Sequence, residues 1–98
     1  MDISGVASLI KEVITPNFEN SNLVSFSVLS QSGFSQVCFE SRGDESKLFF
    51  INSLVTLQLI AITVSTDKGI LQFNLSNNKV ILFDISAIVR IDYQLKKQ

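Results

Sequence analysis

Apolar residues recur at helical spacing only at the start of the chain. Ile3, Val6, Leu9, Ile10, Val13 and Ile14 lie at spacings of three, four and seven, with Ser8, Lys11 and Glu12 opposite them. This is the pattern of an amphipathic helix over about 3–14. Asp2 or Ser4 suits its N-cap, and Thr15-Pro16-Asn17 predicts its end, because a proline disfavours the helical conformation of the residue before it.

After a polar connector, Asn17 to Asn22, the period falls to two. Leu23 to Ser30 sets Val24, Phe26 and Val28 against Ser25, Ser27 and Ser30, and Ser35 to Ser41 sets Val37 and Phe39 against Gln36, Cys38 and Glu40. Both read as strands with one buried face. Turns are expected at Gln31 to Phe34 and at Arg42 to Glu45. The stretch from Lys47 to Ser65 is too long for one flat strand. It predicts either a bent strand kinked at Asn52-Ser53 or a helical turn over 46–53 followed by a strand over 54–65, and periodicity does not separate the two. Thr66-Asp67-Lys68-Gly69 predicts a hairpin turn into Ile70 to Leu75, and Ser76-Asn77-Asn78 returns the chain as Lys79 to Phe83. Asp84 to Ala87 fits a single turn before a last strand, Ile88 to Gln94, in which Val89, Ile91 and Tyr93 face one way and Arg90 and Asp92 the other. The sheet region therefore covers about 22–94, and the tail from Leu95 is expected to fray.

With 98 residues there is room for one domain, 1–98. The expected fold is α+β: an N-terminal amphipathic helix, then an antiparallel meander of five to seven strands curled into a small barrel or half-barrel. The succession of helix, strands, one-turn connector and final strand is similar in layout to small SH3-like and Sm-like barrels. The strand count exceeds five, and the Arg42-Gly43 pair precedes the strands that an Sm-like uridine site would need it to follow. No family residue is carried over on that layout.

Composition changes the picture at one point. The chain is 46% hydrophobic but only 17% charged, against about 25% charged in typical soluble domains. Val80 to Phe83 is apolar on both faces, so more apolar surface is present than a single small core hides. Self-association is the expected outlet, as a homodimer or higher assembly, through an interface drawn from Ile60, Ile62, Val80, Leu82 and Ile85. A further, unidentified protein partner is expected at the charged loop tips or at the helix, with Arg42, Asp44, Lys68 and Lys79 as the loop-tip binding candidates. The alternatives are an Sm-like or OB-like oligomeric nucleic-acid binder and a barrel holding a small apolar ligand.

Charge and candidate chemistry narrow the classes further. The net charge is −1, and the basic residues are scattered among acids, so nucleic acid is not an expected partner. The sequence has no histidine and one cysteine, and no metal-ligand, nucleophile-elbow or phosphate-loop spacing occurs. An enzyme, a cofactor and a metal are therefore not expected. Arg42-Gly43-Asp44 spells the integrin-binding tripeptide, and Asn74-Leu75-Ser76 spells a glycosylation acceptor. Each is read as local turn or strand chemistry, because the acid at Asp2 and the broken apolar run after it do not resemble a secretory leader. The lone Cys38 fits a reducing compartment, and a cytoplasmic location is expected. The uncharged run Leu48 to Thr66 is long enough to span a bilayer, but its polar side chains and β-branched end favour buried strands, so no membrane association is expected.

Overall fold

A computed structural model describes residues 2–31, 36–42, 45–50 and 56–97, with backbone alone at 36, 42, 45–50 and 56. The N-terminal helix runs over 3–19, five residues beyond its expected end. Asp2 caps it, its carboxylate accepting from Gly5 N–H at 3.3 Å. Pro16 does not stop the helix, because a π-helical turn, Ile10–Ile14, intervenes between α-helical Ile3–Leu9 and Thr15–Glu19. The Thr15 N–H bonds back to Ile10 C=O across this wider turn. Pro16 then lies in the first turn of the next α-helical segment, directly after the wider turn. Asn17 Nδ2 donates to Val13 C=O at 2.7 Å beside this irregularity.

The helix ends instead at Asn20, and Ser21 takes the left-handed conformation at φ 60°. Ser21 N–H bonds to Phe18 C=O and Asn22 N–H to Asn17 C=O, at 3.1 and 2.7 Å. These are the two bonds of a Schellman stop, made here without glycine.

Among the described residues seven strands follow: β1 Leu23–Ser30, β2 Gln36–Arg42, β3 Glu45–Phe50, β4 Thr56–Ser65, β5 Ile70–Leu75, β6 Val80–Asp84 and β7 Ile88–Leu95. Each pairs antiparallel with its neighbour in the order β6-β5-β4-β3-β2-β1-β7. The ladders fall into two sheets that meet at β4. Its first residues, Thr56 to Gln58, pair with β3, and Leu59 to Ser65 pair with β5. The helix covers the length of β4 that has left β3: Thr15 Oγ1 donates to Ile62 C=O at 3.0 Å and Lys11 Nζ to Thr66 Oγ1 at 2.9 Å.

The expected barrel or half-barrel is not formed. Among the described residues neither sheet closes, and β6 and β7 each pair on one side only. Because every neighbour is antiparallel, β6 and β7 run in the same direction. Side-by-side pairing of parallel strands needs a crossover of about a dozen residues, and only the 3₁₀ turn Ile85–Ala87 joins these two. That turn carries the chain from one sheet to the other: Ile85 N–H bonds to Gly69 C=O, and Gln31 N–H to Ala87 C=O.

The expected alternatives for 47–65 also give way. Glu45–Phe50 and Thr56–Ser65 are separate antiparallel strands, so neither a helical turn over 46–50 nor a single bent strand is present. The expected kink at Asn52-Ser53, most of the turn before Gln36 and the Gly43-Asp44 tip lie outside the described residues.

The core lies between the inner faces of the two sheets and the helix. Phe26 and Val28 from β1 and Val37 and Phe39 from β2 meet Ile62, Leu71 and Phe73 from the second sheet, with Ile10 and Ile14 beneath. The rings of Phe26 and Phe73 join the sheets at a centroid distance of 6.1 Å, and Phe18 of the helix stacks edge-on against Phe39 at 5.5 Å. Ser30, expected on the hydroxyl face of β1, is buried instead, on the same side as Phe26 and Val28.

The β4–β5 turn depends on Gly69, which is buried at φ 64° with its Cα close to the helix start. A Cβ there would lie 3.3 Å from Ile3 Cδ1. Gly69→Ala is therefore expected to destabilise by about 1–2 kcal/mol, chiefly from the left-handed backbone. Thermal unfolding followed by circular dichroism checks this, and an unchanged midpoint contradicts it.

Candidate functional site

The exposed aliphatic side chains of the second sheet gather on its outer face near β6. The register places Asn74 opposite Val80 and Gln72 opposite Leu82, while Leu71 and Phe73 point inward. Val80 and Leu82 are 49% and 58% exposed. Beside them Ile60, 54% exposed, sits at an irregularity in the β4–β5 ladder between Leu59 and Ala61. Such a bulge re-aims the extra side chain. Ile60 and Val80 together line a shallow depression of about 450 Å³, bounded by the polar groups of Asn74, Asn78 and Lys79.

The five interface residues expected from sequence thus divide. Ile60, Val80 and Leu82 share an exposed region, whereas Ile62 and Ile85 are 1% and 0% exposed and belong to the core. Ile85 follows Ile81 and Phe83 onto the inner side, and Ile62 packs opposite Phe73. Neither is available to a partner while the domain is folded.

The loop-tip candidates do not form one site. Lys68 lies in the β4–β5 turn and Lys79 beside the β5–β6 turn, at opposite ends of β5. By strand rise that separation is about 20 Å. Arg42 ends β2, with its side chain outside the described residues, as is Asp44.

Two features of the surface went unassigned in the sequence. Tyr93 is exposed on β7, on the side of the ladder that carries Phe26 and Val28 inward, and Val89 is exposed at a ladder irregularity where Leu29 pairs with Arg90 and Ser30 with Ile88. The alternation of β7 placed them together, but nothing in it marked β7 as an edge. On the outer face of the first sheet, Ser25, Ser27, Cys38, Glu40 and Asp92 line a depression of about 350 Å³. The Cys38 thiol is pushed up from its ordinary range, first by burial and then by the negative charge of Glu40. That direction lowers the thiolate fraction near neutral pH, the opposite of what a nucleophilic cysteine needs.

Among the described residues, no grouping of three or more His, Cys, Asp or Glu side chains forms a metal-binding cluster. No described helix is long and apolar enough to cross a membrane. Asn74 of the glycosylation-like triplet lies within β5, where its Oδ1 accepts from Gln72 Nε2 at 2.7 Å. No family model, curated protein or solved structure matches the chain. What the fold and its surface define is a helix followed by two antiparallel sheets, with an apolar strand at an open edge.

Proposed function

We propose that this chain is a small, non-enzymatic protein-binding module of the cytoplasm that assembles with itself through the open edge of β6 and the adjoining outer face. One observation carries the reading: among the described residues β6 pairs on one side only, and two of its three exposed residues, Val80 and Leu82, are aliphatic, the third being Asp84 at its end. Edge strands are templates for further pairing unless charge, proline or a bulge protects them. Val80 to Phe83 contains neither a charge nor a proline.

The non-enzymatic part rests on a sequence without histidine and on a Cys38 environment that disfavours the thiolate. The cytoplasmic part rests on the single cysteine, which cannot close a disulfide within the chain. Multi-angle light scattering over a micromolar to submillimolar series tests the assembly. A mass rising from 10.9 kDa toward twice that value is expected. A strict monomer throughout contradicts it.

A further inference from the structure

The β5–β6 ladder settles which backbone groups of β6 remain open. Leu75 N–H bonds to Lys79 C=O, and Ile85 N–H bonds to Gly69 C=O, both at 2.8 Å and both between residues directly opposite in register. Hydrogen-bonded pairs alternate with non-hydrogen-bonded ones along an antiparallel ladder. Lys79, Ile81, Phe83 and Ile85 therefore turn their backbone groups toward β5, while Val80, Leu82 and Asp84 turn theirs toward the open edge. The same residues, Val80 and Leu82, carry the exposed aliphatic side chains.

We infer that the occupant of this edge is β6 of a second copy, paired antiparallel about Ile81, so that Val80 lies opposite the partner's Leu82 and Leu82 opposite the partner's Val80. This inference rests on the self-association proposed above and adds its strand, direction and register.

Three constraints select that arrangement. Opposed residues must both offer outward backbone groups and must share a face, which limits the two-fold centre to a residue of the strand. A centre at Leu82 sets Val80 against the partner's Asp84 carboxylate, apolar against charged. A centre at Ile81 matches aliphatic with aliphatic and brings Asn78 opposite the partner's Asp84. Charge fixes the direction: Lys79 and Asp84 flank the two ends of β6 and are both exposed. Antiparallel approach brings each lysine close to the partner's carboxylate, whereas parallel approach sets like charges together. The edge of β7 is less suited, because the exposed Arg90–Asp92 ion pair, 2.8 Å long, lies along it.

Disulfide trapping tests the register. In a Cys38→Ser background, Val80→Cys and Leu82→Cys are introduced together and singly, and the folded protein is oxidised under mild conditions. Opposed Cα atoms in a hydrogen-bonded pair stand about 5.5 Å apart, inside the range of about 4.4–6.8 Å that a disulfide spans. The double variant is expected to convert mostly to a covalent dimer, with peptide mass spectrometry joining position 80 of one chain to position 82 of the other. Each single variant, its thiols offset by two residues along the strand, is expected to stay uncrosslinked. Crosslinking by Leu82→Cys alone overturns the register in favour of a centre at Leu82. An uncrosslinked double variant that still scatters as a dimer overturns this edge but leaves self-association standing. A monomer that never crosslinks overturns both.

Discussion

Phe73→Ala is expected to remove about 3–5 kcal/mol of stability, out of a total of about 5–15 kcal/mol for a domain of this length. Phe73 is 0% exposed and stands at the junction of the sheets. Its ring meets Phe26 of the first sheet at 6.1 Å and Phe83 of β6 at 6.0 Å, the latter edge-on at 90°. Truncation removes both ring contacts, each worth about 0.5–1.5 kcal/mol beyond area burial. It also leaves a cavity between strands that two separate ladders hold and that cannot readily collapse. Phe18→Ala provides the contrast: Phe18 also stacks on a buried ring but is only half-buried at the helix end, so the expected loss is smaller. Urea unfolding followed by far-ultraviolet circular dichroism measures both. A loss below about 1 kcal/mol for Phe73→Ala, within the ordinary range for surface substitutions and mild core changes, would mean that the two sheets are not held together here.

What could be read in advance was local. Val24 to Val28 and Leu71 to Leu75 alternate between apolar and polar residues, and each lies within an observed strand, Leu23–Ser30 and Ile70–Leu75. The turns on either side of Ile70–Leu75 were legible on different grounds: Gly69 and Asn78 tolerate the positive φ, 64° and 62°, that those turns require. The single turn over Asp84 to Ala87 followed from the shortness of that stretch, and in the structure the Asp84 carboxylate accepts from Ser86 N–H.

Tertiary effects hid the rest. Pro16 ends a helix by local rules, yet the π turn before it and the Thr15 hydroxyl bond to Ile62 C=O carry the helix past it. Neither is visible without knowing that β4 lies alongside. Leu48 to Thr66 lacks charge, so no solvent face marked its strands or the point where the chain reverses. Ile60 and Ile62 have the same parity and were placed on one face, but the ladder irregularity between Leu59 and Ala61 turns one outward and leaves the other buried. Ile85 is different: it keeps step with Ile81 and Phe83, so parity did separate it from Val80 and Leu82, and the apolar excess obscured that signal. Closure of the sheet was never encoded in alternation at all. It depends on strand direction and connection length at the β6–β7 corner, which only the pairing order reveals.

Leu82→Lys is expected to abolish self-association while leaving the fold intact. Leu82 is 58% exposed in the single chain, so its replacement removes little buried surface and the stability should change by no more than about 0.5 kcal/mol. In the paired state the position faces the partner's Val80, and an ammonium there loses the aliphatic contact and must give up water against an apolar side chain. The substitution acts twice in a symmetric pair, so a weakening of about 100-fold, about 2.7 kcal/mol, is a conservative expectation. Sedimentation velocity at a concentration where the wild type is dimeric reads the effect directly, and urea unfolding confirms that the variant is folded. Tyr93→Lys distinguishes the two open edges: it places the same charge on an exposed aromatic position of β7. If the β6 edge carries the assembly, Tyr93→Lys stays dimeric and Leu82→Lys does not. The reverse result assigns the interface to β7, because the two substitutions add the same charge and differ only in which open strand receives it.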